Sequence, residues 1–577
     1  MNPYHVYEEW LYNPTFGEKT KVELRAIANQ NPEIEDRFYK YLEFGTGGMR
    51  GVLGAGTNRI NRYTVRRVTQ GLANYISSYG QPAKEKGVVI AYDSRHQSAF
   101  LGEEAACTLV ANGIGAYLFN NLRPTPELSF AIRHMQAQAG IMITASHNPP
   151  EYNGFKVYWE DGGQITSEVA TSIIGEIDKI NDWSQIIYLP RAKADETNLL
   201  QVIGDEVDEA YLDQLKKVCL NPDVIHEMSN HFSLVYSPLH GAGNPIVPQI
   251  LRKIGFLHVH SVPEQEQPDP NFSTVKSPNP EEKETFELVI AIAQEKHADL
   301  AIVTDPDCDR VGVAVRNREG EFEYPSGNQI GALLLEYLIS VRKRRGLLPD
   351  RSTVVTTIVS SELGSVIANK YGVDTIKTLT GFKYIAEQIR LFEEHSGYQF
   401  LFGYEESYGY LASTAVRDKD AVMATMLICE MAVFYKQQGK SLLDVLADLF
   451  TEHDYFLDDL EFRMLKGKKG VERIQAIMEE WRSNPPAKVG EKDIVEISDY
   501  LKQITYETTS GKETVIQLPK ENVLQYRLED GSWFCLRPSG TEPKIKVYFS
   551  VRAPSFQEAA RILETIKSAV MEQIDSF

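Results

Sequence analysis

The chain runs to 577 residues, too many for one hydrophobic core, so it should divide into roughly three to five domains of ordinary size. A hydrophobic share of 42% with 24% charged residues is a globular composition and excludes extended disorder. Eighty acidic against 60 basic residues give a formal charge of −20, which argues against a general nucleic-acid or acidic-membrane binder yet permits an anionic substrate among locally concentrated basic groups.

The first forty residues, rich in Glu and Tyr and carrying Trp10, read as a helical extension. A first domain is expected over 41–210. Its strand Gly87–Ser94 leads to a helix from Phe100 to Ala111, a stop at Asn112-Gly113 and a strand from Ala116 to Phe119. A second domain, 211–322, opens on a strand near Phe232–Pro238, with a helix from Pro245 to Ile254 closed by Gly255. A third, 323–450, opens on a strand at Ser352–Val359, followed by a helix at Leu363–Lys370 and Gly372. Apolar strands alternating with amphipathic helices predict α/β domains, and the three weak echoes point to duplication.

From about 451 to 577 the pattern changes. A helix is expected within Gly470–Trp481, single strands over Ile494–Thr505 and Val515–Tyr526, two strands within Ser532–Val551, and a closing helix from Ser555 to Gln573. Strands grouped before a helix predict a smaller α+β domain.

The five cysteines (Cys107, Cys219, Cys308, Cys429 and Cys535) are scattered and form no CxxC pair, so a reducing cytoplasm is expected. The opening Met-Asn-Pro-Tyr lacks the pattern of a signal peptide. No apolar run reaches the about 18 residues that span a bilayer, so no membrane is expected as a partner, and the acidic balance excludes nucleic acid likewise.

In open α/β sheets ligands sit at the carboxyl ends of strands, so the polar segments there carry the chemistry. Thr144-Ala-Ser146-His147-Asn148-Pro149 sets a serine at the end of an apolar run, with Asn153-Gly-Phe-Lys156 just beyond. Alone, Ser146 reads as a nucleophile, a phosphate carrier or a turn residue. Asp305-Pro-Asp307-Cys308-Asp309-Arg310 follows the apolar Leu300–Val303. Carboxylates at i, i+2 and i+4 share one side of an extended chain, and three hard oxygen donors suit Mg²⁺. Arg537-Pro-Ser539-Gly540-Thr541 offers a guanidinium, two hydroxyls and backbone N–H groups, the donors that a phosphate dianion requires. Gly403-Tyr-Glu405-Glu-Ser407-Tyr408-Gly409 suits vicinal sugar hydroxyls or a plain surface turn.

Together these four motifs, in this order, closely resemble the α-D-phosphohexomutase superfamily over nearly the whole chain. TASHNP resembles the family's phosphoserine loop, DPDCDR its metal loop (commonly DGDGDR), GYEESYG its sugar loop and RPSGTEPK its phosphate loop. Phe44–Gly51 and the overall length look most like the branch containing bacterial α-phosphoglucomutases and phosphopentomutases. Two departures stand out: Pro306 and Cys308 replace glycines, and Tyr408 stands where many members have Gly followed by His.

The resemblance implies three related α/β domains with mixed sheets and a smaller fourth domain around one central cleft. It implies a phosphoserine at Ser146, with Mg²⁺ held by that group and by Asp305, Asp307 and Asp309. Glucose 1-phosphate and glucose 6-phosphate would interconvert through glucose 1,6-bisphosphate. Arg537, Ser539, Gly540 and Thr541 would hold the phosphate that is not reacting, and Glu405 and Ser407 the sugar. Arg50, Arg95, Arg310 and Lys383 would add positive charge, and His147 or Lys156 would move protons.

Rival classes find less support. A serine hydrolase wants G-x-S-x-G, and Thr144 and Asn148 occupy those glycine places. No G-x-x-x-x-G-K-[ST] string supports nucleotide binding. A non-catalytic sugar-phosphate binder would be expected to lack Ser146 or an aspartate, and the chain keeps all four. Phosphopentomutase and phosphomannomutase stay open as alternative activities.

Overall fold

The computed structural model describes residues 2–465, 467–539 and 544–577. The chain folds into two compact units, residues 1–327 with 382–441, and residues 328–381 with 442–577.

The first unit begins with three helices, Pro3–Tyr12, Glu18–Ala26 and Asn31–Phe38. Pro3 starts the first helix, where its missing N–H costs nothing, and Asn2 caps it by accepting from the Tyr4 N–H. The fully buried Trp10 stacks on Phe16 at 4.2 Å and meets Phe38, Tyr63 and Trp183 edge-on. These rings pin the extension to the neighbouring α/β layer.

That layer is a six-stranded mixed sheet in the order Met49–Val52, Tyr152–Trp159, Ala139–Ile143, Val88–Tyr92, Ala116–Phe119, Leu200–Ile203. The last four strands run parallel, and the first two are antiparallel to their neighbours. Ala139–Ile143 is buried at every position, as a parallel strand covered on both faces must be. The antiparallel return through Tyr152–Trp159 turns residues 144–151 into the tip of a hairpin and sets Lys156 opposite Met142. Gly154 permits that tip, because a Cβ there would lie 2.4 Å from the Thr144 carbonyl oxygen.

A five-stranded sheet follows, in the order Phe322–Glu323, Val311–Arg316, Leu300–Thr304, Ser233–Ser237, His258–Ser261. Leu300–Thr304 and Val311–Arg316 form an antiparallel hairpin with Thr304 opposite Val311, so residues 305–310 are its tip. The unit also holds the antiparallel pair Gln399–Glu405 and Gly409–Leu411, and the helix Ala421–Gln437, capped by Asp420 and buried along most of its length.

The second unit contains the parallel pair Ser352–Thr357 and Asp374–Thr378, with the helix Leu363–Lys370 between them in sequence. An antiparallel sheet runs Tyr455–Met464, Lys544–Ala553, Trp533–Pro538, Leu524–Leu528, Lys492–Asp499, Ile504–Glu507, Glu513–Val515. Helices Gly467–Ser483 and Phe556–Asp575 share its core around Trp481, Tyr526, Phe534 and Ile545. The α/β class with a distinct C-terminal α+β domain is thus present. Two strand expectations need correction. Ile494–Thr505 and Val515–Tyr526 are each broken, the first by the turn at 500–503 and the second by the segment 516–523. Asp499 starts the first break by accepting from the Leu501 and Lys502 N–H groups, a side chain competing with the ladder.

Candidate active site

Ser146 stands at φ +53°, in the left-handed region that a side chain enters at a cost of roughly 1–2 kcal/mol. The surroundings hold it there. Its N–H donates to Thr144 Oγ1 at 2.8 Å, and that hydroxyl donates to Asp93 at 2.6 Å. Asp93 also accepts from Ser98 Oγ and from the Arg95 N–H. The Arg95 guanidinium, with no exposed surface, donates to the carbonyls of Ser146, Asn148, Pro149 and Tyr152. Arg95, expected to add positive charge, spends these donors on holding the serine loop in shape.

The loop 305–310 differs from expectation in its path. It is a tight turn with Cys308 at φ +52°, not extended chain, and the turn itself brings the three carboxylates together. Ligand atoms of Asp305, Asp307 and Asp309 lie within 4.8 Å of one another, and all three residues are buried. Asp305 Oδ1 accepts the N–H groups of Asp309 and Arg310, and its Oδ2 accepts Ser146 Oγ–H at 2.7 Å. Serine and triad therefore meet directly, although 159 residues separate Ser146 from Asp305.

Burial, then Asp307 and Asp309, push the Asp305 carboxyl well above the usual range. Burial would raise Asp307 as well, but Lys156 holds it well below that range. Asp307 Oδ1 and Asp309 Oδ1 are buried without a hydrogen-bond partner. Carboxylates crowded out of water demand a counter-charge. Two bare buried oxygens with hard donor character fit a divalent cation of the Mg²⁺ class.

Lys156 Nζ lies 2.8 Å from Asp307 and 3.6 Å from Asp309. Burial pulls its pKa down, but the two carboxylates outweigh this and leave it above the ordinary lysine value. His147 Nδ1 approaches Ser146 Oγ at 3.3 Å. Arg50 donates to Asn148 Oδ1 at 2.6 Å, at the edge of the serine loop. Arg310 pairs with Glu281 at 2.8 Å and donates to the Ser407 carbonyl at 3.0 Å, while the Val311 N–H donates to the Tyr408 carbonyl. The segment 403–409 is thereby knitted to the carboxylate loop, with Glu405 buried. Lys383 lies farther along and donates to Thr46 Oγ1 at 2.6 Å.

In the second unit Arg537 ends the strand Trp533–Pro538, pairs with Glu521 at 3.0 Å, and is raised above the ordinary arginine pKa because Tyr548 and Glu521 outweigh its burial. The Ser539 N–H donates to the Lys544 carbonyl. Gly540 and Thr541 lie outside the described residues.

Sequence reasoning missed Lys419. Its Nζ lies 3.2 Å from Asp309 and 3.0 Å from Asp418, and Asp418 also accepts from Tyr158 Oη and Gln164. Arg417, Asp418, Lys419 and Asp420, adjacent in sequence, are all buried. Four charges packed between Val416 and an apolar helix were the available signal.

Comparison with known proteins identifies the family. Four family models match in order: phosphoglucomutase/phosphomannomutase alpha/beta/alpha domain I over residues 41–183, domain II over 209–320, domain III over 326–453, and the C-terminal domain over 464–569. Phosphoglucomutase of Staphylococcus aureus strain MRSA252 is 38% identical over 540 residues, covering 93% of this chain and 95% of the relative. That of strain USA300 is 39% identical over the same spans. Among solved structures, the open form of the Paramecium phosphoprotein pp63/parafusin has a TM-score of 0.69 at 18% identity, covering 93% of this chain and 95% of that one. A Burkholderia thailandensis phosphoglucomutase/phosphomannomutase family protein has a TM-score of 0.63 at 18% identity, covering 91% and 96%. The chain belongs to the phosphoglucomutase/phosphomannomutase family.

Proposed function

We propose that this chain is a phosphoglucomutase, an isomerase interconverting glucose 1-phosphate and glucose 6-phosphate through a phosphoserine at Ser146 and glucose 1,6-bisphosphate. One observation carries the reading. Ser146 Oγ is 2.7 Å from a carboxylate of a buried three-aspartate cluster, an arrangement suited to phosphoryl transfer and foreign to acyl transfer. The names of the Staphylococcus aureus relatives support the choice of glucose.

Asp305, Asp307 and Asp309 would hold Mg²⁺ together with the Ser146 phosphoryl oxygens. When bound, the ion neutralises charge on the transferring group. In the transfer, the phosphoryl–Oγ bond of Ser146 breaks as a bond to the sugar 6-oxygen forms. The sugar hydroxyl gives up its proton and Ser146 Oγ gains one, so no net proton is consumed. His147, whose Nδ1 lies 3.3 Å from Oγ, would serve the proton at the serine. Lys156 and Lys419, tied to Asp307 and Asp309, balance charge beside it. Glu405 and Ser407 would contact the sugar. Arg50, Arg310 and Lys383 would bias the local field, and Arg537 and Ser539, with Gly540 and Thr541, would take the idle phosphate. A division into domains at 41–210, 211–322, 323–450 and 451–577, after a helical extension over 1–40, accompanies this reading.

The test compares kcat/KM for glucose, mannose and ribose 1-phosphates with a catalytic trace of glucose 1,6-bisphosphate. A glucose preference is expected. A ribose preference of about tenfold, roughly 1.4 kcal/mol of transition-state discrimination, overturns it in favour of a phosphopentomutase.

A further inference from the structure

Thr125 lies 180 residues before the carboxylate loop in sequence, yet it touches that loop twice. Its backbone N–H donates to the Asp307 carbonyl at 2.8 Å, and its hydroxyl donates to Asp307 Oδ2 at 2.9 Å. Lys156 Nζ reaches the same Oδ2 at 2.8 Å. Two donors thus occupy Oδ2, while Oδ1 of the same carboxylate is buried with no hydrogen-bond partner. Thr125 has no exposed surface, so its hydroxyl has no part in contacting substrate. Its backbone is stiff: it opens the helix Thr125–His134 between Pro124 and Pro126, whose rings fix φ on either side.

We infer that Thr125 is a positioning residue that selects which oxygen Asp307 offers to the cation. An aspartate side chain has two equivalent oxygens and a soft terminal torsion. The hydroxyl removes that freedom by engaging Oδ2 from a rigid segment of a different sheet layer, leaving Oδ1 for the ion. Lys156 cannot do this alone, because its ammonium is a point charge on a flexible stem and is shared with Asp309. Partners of this kind behind a metal ligand typically govern affinity by 10–100-fold. The inference rests on the cation-binding reading of the triad.

The experiment measures Mn²⁺ binding to the full-length protein by calorimetry and by electron paramagnetic resonance, without substrate. Thr125→Val keeps shape and removes the donor, and Thr125→Ser restores the donor without the methyl. Expected are about tenfold or greater weakening in Thr125→Val and affinity within about threefold of wild type in Thr125→Ser, with unchanged far-ultraviolet circular dichroism for both. Should Thr125→Val fail to fold, Thr125→Ala is read in its place. Wild-type affinity in the donor-less variant overturns the inference, as does equal loss in Thr125→Ser. Asp307→Asn separates the two levels. If it binds Mn²⁺ as wild type does, the cation reading itself fails; if it loses binding while Thr125→Val keeps it, only the positioning role fails.

Discussion

At the scale of single residues, the serine loop shows how a reactive side chain is held in an unfavourable backbone conformation. Nothing local favours φ +53° at Ser146, so the carbonyl clamp of Arg95 and the Thr144–Asp93 link must supply the constraint. Ser146→Ala is expected to abolish turnover with the fold intact, and a fraction of the isolated wild-type protein should be about 80 Da heavier by mass spectrometry through a phosphoryl group on Ser146. Full activity in the variant would end the carrier assignment. Arg95→Met leaves Asp93 buried without its cation and four carbonyls without their donor. A loss of about 3–5 kcal/mol is expected in denaturant unfolding, the scale for breaking a buried pair.

At the scale of elements, hairpin tips and helix ends bring the groups together. Gly241 packs under the carboxylate loop, where a Cβ would lie 2.4 Å from Pro306 Cα and 2.6 Å from its carbonyl oxygen. Neither backbone atom can move without moving the aspartates beside it. Gly241→Ala should therefore weaken Mn²⁺ binding although all three carboxylates are kept, as read by titration calorimetry. The helix Ala421–Gln437 starts at Asp420, which accepts from the Met423 N–H and Tyr211 Oη at 2.8 and 2.9 Å. Burial raises its carboxyl from 3.8 to about 6. The folded state therefore favours the protonated form. That contribution is complete below about pH 4 and is lost as pH rises through about 6, a swing of roughly 3 kcal/mol. Asparagine still caps a helix, so Asp420→Asn should gain on wild type in melting temperature as pH climbs from 4 to 7. A difference independent of pH would dismiss the titration of Asp420 as its source.

At the scale of the whole molecule, the bound cation should register as stability, since anything that binds only the folded state stabilises it. At about one hundred times its dissociation constant Mg²⁺ should add about 2.7 kcal/mol, seen as a raised melting temperature that EDTA reverses. Simultaneous replacement of Asp305, Asp307 and Asp309 by asparagine should erase the response. Among the described residues no helix is long and apolar enough to cross a membrane. Cys107, Cys308 and Cys429 are buried thiols.

Much of the fold was legible in the sequence because its determinants are local. The strand Ala116–Phe119 and the helix Leu363–Lys370 fall where period and glycine stops place them, since periodicity and stop signals act within a few residues. The broken strands after residue 490 were missed because the break at Asp499 depends on a side-chain hydrogen bond that no period records. The candidate groups of the first unit were likewise local in sequence: a serine after an apolar strand and three alternating aspartates, which meet in the structure. Tertiary structure alone decided the work each charge performs. Arg95 is spent on carbonyls, Arg310 on Glu281 and the Ser407 carbonyl, and Lys419 enters the carboxylate cluster from 110 residues beyond Asp309. A charge in sequence carries no partner; burial assigns one, because an ion removed from water must be paired or be neutralised.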